Sequence, residues 1–116
     1  MQSVAFAIRL LPGQTDANQV GLASCWVGAR KEAYQDARRR AGIIREAVWI
    51  QPTPAGDVAV VYVEADDVET AFTMLACSPE SFDRWFRDHV RQIHGTTWGH
   101  ALTVPELVLD FDINRT

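Results

Sequence analysis

Apolar residues alternate from the start of the chain. Val4, Phe6, Ile8 and Leu10 fall on one side of an extended segment and Ala5, Ala7, Arg9 and Leu11 on the other, which predicts a strand over residues 3 to 11 that is apolar on both faces. Pro12-Gly13 stops it. Thr15 or Asp16 then serves as N-cap of a helical stretch that runs to Ala41 and ends at Gly42, with Gly28 as a break or kink near its middle. Residues 43 to 51 and 57 to 65 are rich in β-branched and aromatic residues. The turn residues Pro52-Thr53-Pro54-Ala55-Gly56 between them predict an antiparallel hairpin. Asp66-Asp67 caps a helix from Val68 to Cys77, and Ser78-Pro79-Glu80-Ser81 is a break and restart. Phe82, Trp85, Phe86, His89, Val90 and Ile93 recur at the spacing of one buried helix face, which Gly95 closes. Pro105-Glu106 leads into a last strand over residues 107 to 111, with Leu107, Leu109 and Phe111 alternating against Val108 and Asp110.

This order predicts one α+β domain over residues 1 to 116. Two strand-helix-strand units interleave into a ferredoxin-like βαββαβ fold, with a four-stranded antiparallel sheet and the helices on one face. The other face cannot stay apolar in water, so the expectation is a homodimer through the sheet face, a dimeric α+β barrel. A two-residue turn at Ala55-Gly56 sets Trp49 opposite Tyr62, Gln51 opposite Val60 and Ala47 opposite Glu64. Val48, Ile50, Val61 and Val63 then form an apolar face assigned to the partner. Arg45, Trp49, Gln51, Tyr62 and Glu64 form a mixed face assigned to the helices, opposite Trp85 and His89.

Composition and charge remove several function classes. A chain of 116 residues with 47% apolar and 22% charged residues is an ordinary globular domain, and its net charge of -4 offers no general basic surface for nucleic acid or anionic membrane. The basic run Arg38-Arg39-Arg40 is read as a solvated helix C-terminus. Cys25 and Cys77 have no metal or CxxC spacing and are expected to remain core thiols. With no leader pattern and no apolar run long enough to span a bilayer, the chain is expected to be cytoplasmic and soluble.

The candidate chemistry centres on His89, which interrupts an apolar helix face where a neutral imidazole can act as acid or base. A core histidine with one satisfied hydrogen bond explains it too. Tyr62 on the mixed sheet face is the second proton-handling candidate, with Trp49, Trp85, Arg9, Glu64 and His94 shaping or orienting a small-molecule pocket. His94 also reads as a cation at a helix C-terminus, and His100 sits in a loop. His89, His94 and His100 lack zinc-helix spacing, so no metal is expected. His89 alone meets the minimum for an axial haem ligand with no other haem feature, and no Gly-rich phosphate loop implies a nucleotide; no cofactor is assigned.

Arg38-Arg39-Arg40-Ala41-Gly42-Ile43 leading into a Trp-bearing strand, Val60-Val61-Tyr62-Val63-Glu64, and Phe82-Asp83-Arg84-Trp85-Phe86-Arg87 through Ile93-His94-Gly95 together carry a resemblance. The chain resembles a mainly bacterial branch of the dimeric α+β barrel superfamily, which includes antibiotic-biosynthesis monooxygenases, stress-responsive barrel proteins and polyketide cyclases. The match runs from about Ala5 to Asp110 and is most specific between Phe82 and Gly95. It implies a cavity between sheet and helices, while no catalytic residue carries over from it. The expected function is a cofactor-independent oxygenase, cyclase or isomerase acting on an aromatic or polyketide-like molecule. The alternative is a non-catalytic small-molecule-binding or structural dimer.

Overall fold

The computed structural model describes residues 1–96 and 104–115. Strand β1 (Gln2–Arg9) is followed by helices α1 (Thr15–Trp26) and α2 (Lys31–Arg40), strands β2 (Ile43–Thr53) and β3 (Gly56–Ala65), helices α3 (Val68–Cys77) and α4 (Ser81–His94), and a 3-10 turn, Ile113–Arg115. The expected long helix is broken in two at Gly28, where a side chain would lie 2.8 Å from the Ser24 backbone. Arg30 bridges the break: its amide donates to the Ser24 carbonyl (2.8 Å) and its guanidinium to Ser24 Oγ (3.2 Å). Helix α1 begins after Gln14 with no side-chain cap; the Thr15 hydroxyl instead donates to Asp57 Oδ2 at 2.5 Å. Asp67 caps α3 as expected, accepting from the Thr70 amide at 2.8 Å. Gly95 ends α4 in the left-handed conformation at φ 72°.

The sheet corrects the ferredoxin-like expectation. It has three antiparallel strands in the order β1-β3-β2, not four, and residues 107 to 111 join no ladder among the described residues. Strand propensity supplies no partner by itself. In this segment the acids are satisfied locally, since Arg115 pairs with Asp110 (3.4 Å) and Asp112 (3.0 Å). Leu107, Val108, Leu109 and Phe111 all remain exposed, Val108 at 87%.

The hairpin register is shifted by two residues from the expected one. Trp49 lies opposite Val60, Ala47 opposite Tyr62 and Arg45 opposite Glu64, because the turn is Pro54-Ala55 between Thr53 and Gly56. Proline fits the first central turn position, Gly56 supplies φ 121°, and the Thr53 hydroxyl donates to the Gly56 carbonyl at 2.6 Å while accepting from the Ala55 amide. A two-residue slip preserves the faces, so Val48, Ile50, Val61 and Val63 do share one side. A bulge at Ile44 brings Ile43 onto that side as well.

Which face meets the helices is the reverse of the expectation. Val4, Val61, Val63 and Ala65 pack against Val68, Ala71 and Leu75 of α3, while Leu10, Ala59 and Ile93 form a second cluster with Ile50. Phe6 meets Phe72 edge-to-face at 6.0 Å. The cause is solvation: each buried valine contributes about 1.5–3 kcal/mol, and Arg9, Arg45, Gln51 and Glu64 on the other face keep their hydration. The mixed face is therefore the open face of the sheet.

Candidate functional site

Glu46 is the polar residue on the helix-facing side of β2, in line with Val48 and Ile50. Its Oε1 accepts two hydrogen bonds, from the Tyr34 hydroxyl at 2.5 Å and from Arg38 Nε at 2.8 Å. Both charged side chains are buried, Arg38 at 6% and Glu46 at 9% exposure. The guanidinium is also clamped between two rings, 4.8 Å from the Tyr34 centroid and 4.5 Å from that of Phe86. Helix α2 positions this cluster because Tyr34, Ala37, Arg38 and Ala41 fall at i, i+3, i+4 and i+7, which turns them inward. The solvated reading of the basic run thus holds for Arg39 and Arg40, both exposed although paired with Asp36 and Asp83, and fails for Arg38, which is buried against Glu46.

The electrostatics of the cluster follow from its burial. Desolvation pulls the Arg38 pKa down, but Glu46 and Tyr34 outweigh it and the net shift is upward, so the guanidinium is charged throughout the accessible range. Burial, then the Glu46 charge, push the Tyr34 phenol well above its ordinary value. Tyr34 is therefore a fixed donor and not a base. Among the described residues, no donor is bonded to Glu46 Oε2.

That carboxylate borders three cavities. The largest, about 430 Å³, is a cleft between β2 and helices α1, α2 and α4, walled by Leu22, Cys25, Trp26, Tyr34, Trp49 and Phe86. A void of about 40 Å³ continues beneath the helices to His89, Val90 and His94. The third, about 380 Å³, lies on the outer side of Tyr34 and Arg38. A cleft with aromatic walls and one convergent polar cluster is the usual form of a small-molecule site.

No family model matches the chain, and no curated protein matches it. The site rests on geometry alone.

The residues singled out in the sequence are distributed over both faces of the sheet. His89 is buried in α4; its Nε2–H donates to Asn18 Oδ1 at 3.1 Å and its ring stacks on Trp85 at 5.3 Å. The ring edge abuts Gly21, where a methyl group would stand 2.4 Å from Cε1. Burial, with lesser effects from His94 and Arg30, lowers its pKa, so it is neutral at pH 7. This geometry matches a satisfied core histidine beside a small void. Trp85 walls His89 and receives the Arg30 guanidinium 3.9 Å from its ring centroid, without lining the cleft. Trp49 does line the cleft from the β2 edge, with 54% of its surface exposed.

Tyr62 lies on the open sheet face, its hydroxyl donating to Glu64 Oε1 at 3.0 Å, a bond that raises its pKa. It is separated from His89 by the sheet, so the two do not share a pocket. Glu64 and Arg9 share the open face with Tyr62. The Arg9 carbonyl accepts from His94 Nδ1 at 2.9 Å, tying the end of α4 to β1, and burial lowers the His94 pKa despite that bond. His100 lies outside the described residues. Cys25 is buried in the cleft wall and burial raises its pKa, while Cys77 is exposed rather than in the core. Among the described residues, no three His, Cys, Asp or Glu side chains converge as a metal site, and no helix is long and apolar enough to cross a membrane.

Sequence reasoning missed Tyr34, Arg38 and Glu46. Two signals mark them: a lone carboxylate in the Glu46, Val48, Ile50 alternation, and the inward stripe of α2 that includes Arg38.

Proposed function

We propose that this protein binds a small aromatic or polyketide-like molecule in the cleft between β2 and the helices, anchored by Glu46. One observation carries the reading. A buried carboxylate, fixed on one oxygen by Arg38 and Tyr34, faces an apolar aromatic cleft with its second oxygen available to a ligand N–H or O–H. The ligand class, a phenol or an enolisable ketone, follows from aromatic walls joined to a single strong acceptor and agrees with the cyclase-type resemblance. Isomerase or cyclase chemistry extends this reading: Glu46 takes a proton from an enolisable carbon and returns it at another, and neutral Tyr34 holds the carboxylate in place. The test is a thermal-shift panel of phenols, aromatic acids and polyketide mimics. Ligands of the native state raise the midpoint, and silence across the panel removes the reading.

We propose, too, that the protein pairs with a second copy through the open sheet face. Val58, Val60 and Ala47 share that face with the Arg45–Glu64 pair at one end, so the face is apolar in part and carries both signs of charge, which a two-fold axis can set opposite one another. The unpartnered apolar residues Leu107, Leu109 and Phe111 add surface that a second copy would cover. Light scattering that reports a monomer at micromolar concentration would contradict this.

A further inference from the structure

Among the described residues the sheet has two open edges, and they differ. β2 carries a bulge at Ile44 and a proline at Pro52, features that discourage a further strand from pairing there. β1 has neither. Its eight residues, Gln2–Arg9, pair with β3 in one unbroken register, and the charge it carries is Arg9 at its end. The outward-facing amides and carbonyls of β1 are thus a regular template for another strand. Phe6 and Ile8, on the helix-facing side of β1, remain half-buried at that edge.

A segment with the matching pattern is present. Leu107, Val108, Leu109 and Phe111 are each at least 67% exposed and join no ladder among the described residues. Laid beside β1, their alternation turns Leu107, Leu109 and Phe111 toward Phe6 and Ile8, and turns Val108 and Asp110 toward the open face, where Ala5, Ala7 and Arg9 lie. Arg9 has no ion-pair partner among the described residues. Asp110 has Arg115 at 3.4 Å, an exposed pair whose attraction water screens. Each apolar side chain that becomes buried removes on the order of 100 Å² from water. Two segments, each covering four such side chains against an equal receiving area, reach roughly 1,600 Å² in total, the size of a stable interface. The structure leaves the segment off its own β1 edge, so two copies about a two-fold axis each offer a free segment and a free edge.

We propose that residues 107 to 111 of each copy add as a strand to the β1 edge of a second copy, a reciprocal exchange in which Leu107, Leu109 and Phe111 cover the partner's Phe6 and Ile8 and Asp110 meets the partner's Arg9. The exchange rests on the sheet-face pairing proposed above and gives that pairing its edge.

Amide hydrogen exchange on the full chain tests it, read residue by residue in the dimer and in the monomer. The monomer is obtained by dilution or, for a dimer that resists dilution, with Val60→Lys. In the dimer, alternate amides between Leu107 and Phe111 and the outward-facing amides of β1 exchange about tenfold more slowly than in the monomer, while the free edge of β2 is unchanged. Leu109→Asp weakens the dimer about tenfold and leaves the circular dichroism of the monomer intact, because Leu109 is exposed in the single chain. A dimer whose 107–111 amides exchange as fast as in the monomer overturns the strand exchange and leaves the sheet-face pairing standing. Protection that persists undiminished in the monomer overturns it too, since the segment then pairs with its own chain. A protein that is monomeric at every concentration removes both readings.

Discussion

Arg38 and Glu46 meet at 2.8 Å inside the protein, with the Tyr34 hydroxyl on the same carboxylate oxygen. Two buried charges have given up their hydration, and their attraction offsets that loss only while both are present. Arg38→Met should therefore destabilise by about 3–5 kcal/mol, because an uncompensated carboxylate remains. The double variant Arg38→Met/Glu46→Leu should recover most of that loss. Urea unfolding of the native chain, both single variants and the double variant measures the coupling, and additive losses would show that the pair acts as two independent groups.

Gly21 makes room for His89. A methyl group there would lie 2.4 Å from the imidazole Cε1, and the ring cannot swing away while it stacks on Trp85 and bonds Asn18. Gly21→Ala should cost about 1–3 kcal/mol through overpacking, against the gain in helix propensity that alanine gives elsewhere. The thermal midpoint should fall; a rise would mean that His89 has another rotamer available.

Acid should destabilise the fold through its histidines. Burial holds both His89 and His94 below the ordinary imidazole pKa. As pH drops below about 6.5, the unfolded chain takes up protons that the native state refuses. The stability present above that pH is lost progressively until the folded histidines themselves protonate. His89→Gln, which keeps a donor for Asn18, should flatten the pH dependence below about pH 6.5. An unchanged slope would place the acid sensitivity elsewhere.

Adjacent valines on β3 should respond in opposite ways. Val61 is in the core beneath the helices and Val60 on the open face. Val61→Lys should unfold the protein, while Val60→Lys should leave the circular dichroism intact and shift light scattering to the monomer mass. A folded Val61→Lys protein would reverse the face assignment.

Much of the fold was legible because its signals are local. Gly28, Asp67 and Gly95 mark element ends through backbone chemistry that operates wherever they sit. The division of β2 and β3 into an apolar and a mixed face survived a two-residue error in register because strand side chains repeat every two residues. The orientation of those faces depends on where the helices bury their own apolar sides; the apolar face suits a partner sheet as well as it suits helices, and here the helices cover it. The last strand was misread because the alternation of residues 107 to 111 states a propensity and names no neighbour. Arg38 was misread because a run of three arginines hides that consecutive helix residues point in different directions, one of them inward toward Glu46.

An aromatic ligand anchored by Glu46 would sit in the cleft walled by Trp26 and Trp49, away from Trp85. Indole N–H resonances of the tryptophans, followed by two-dimensional NMR during titration with the strongest stabiliser from the ligand panel, test this most directly. Binding at Glu46 should shift Trp26 and Trp49, leave Trp85 little changed, and lose the response in Glu46→Gln while that variant stays folded. Shifts centred on Trp85, or an undiminished response in Glu46→Gln, would contradict it.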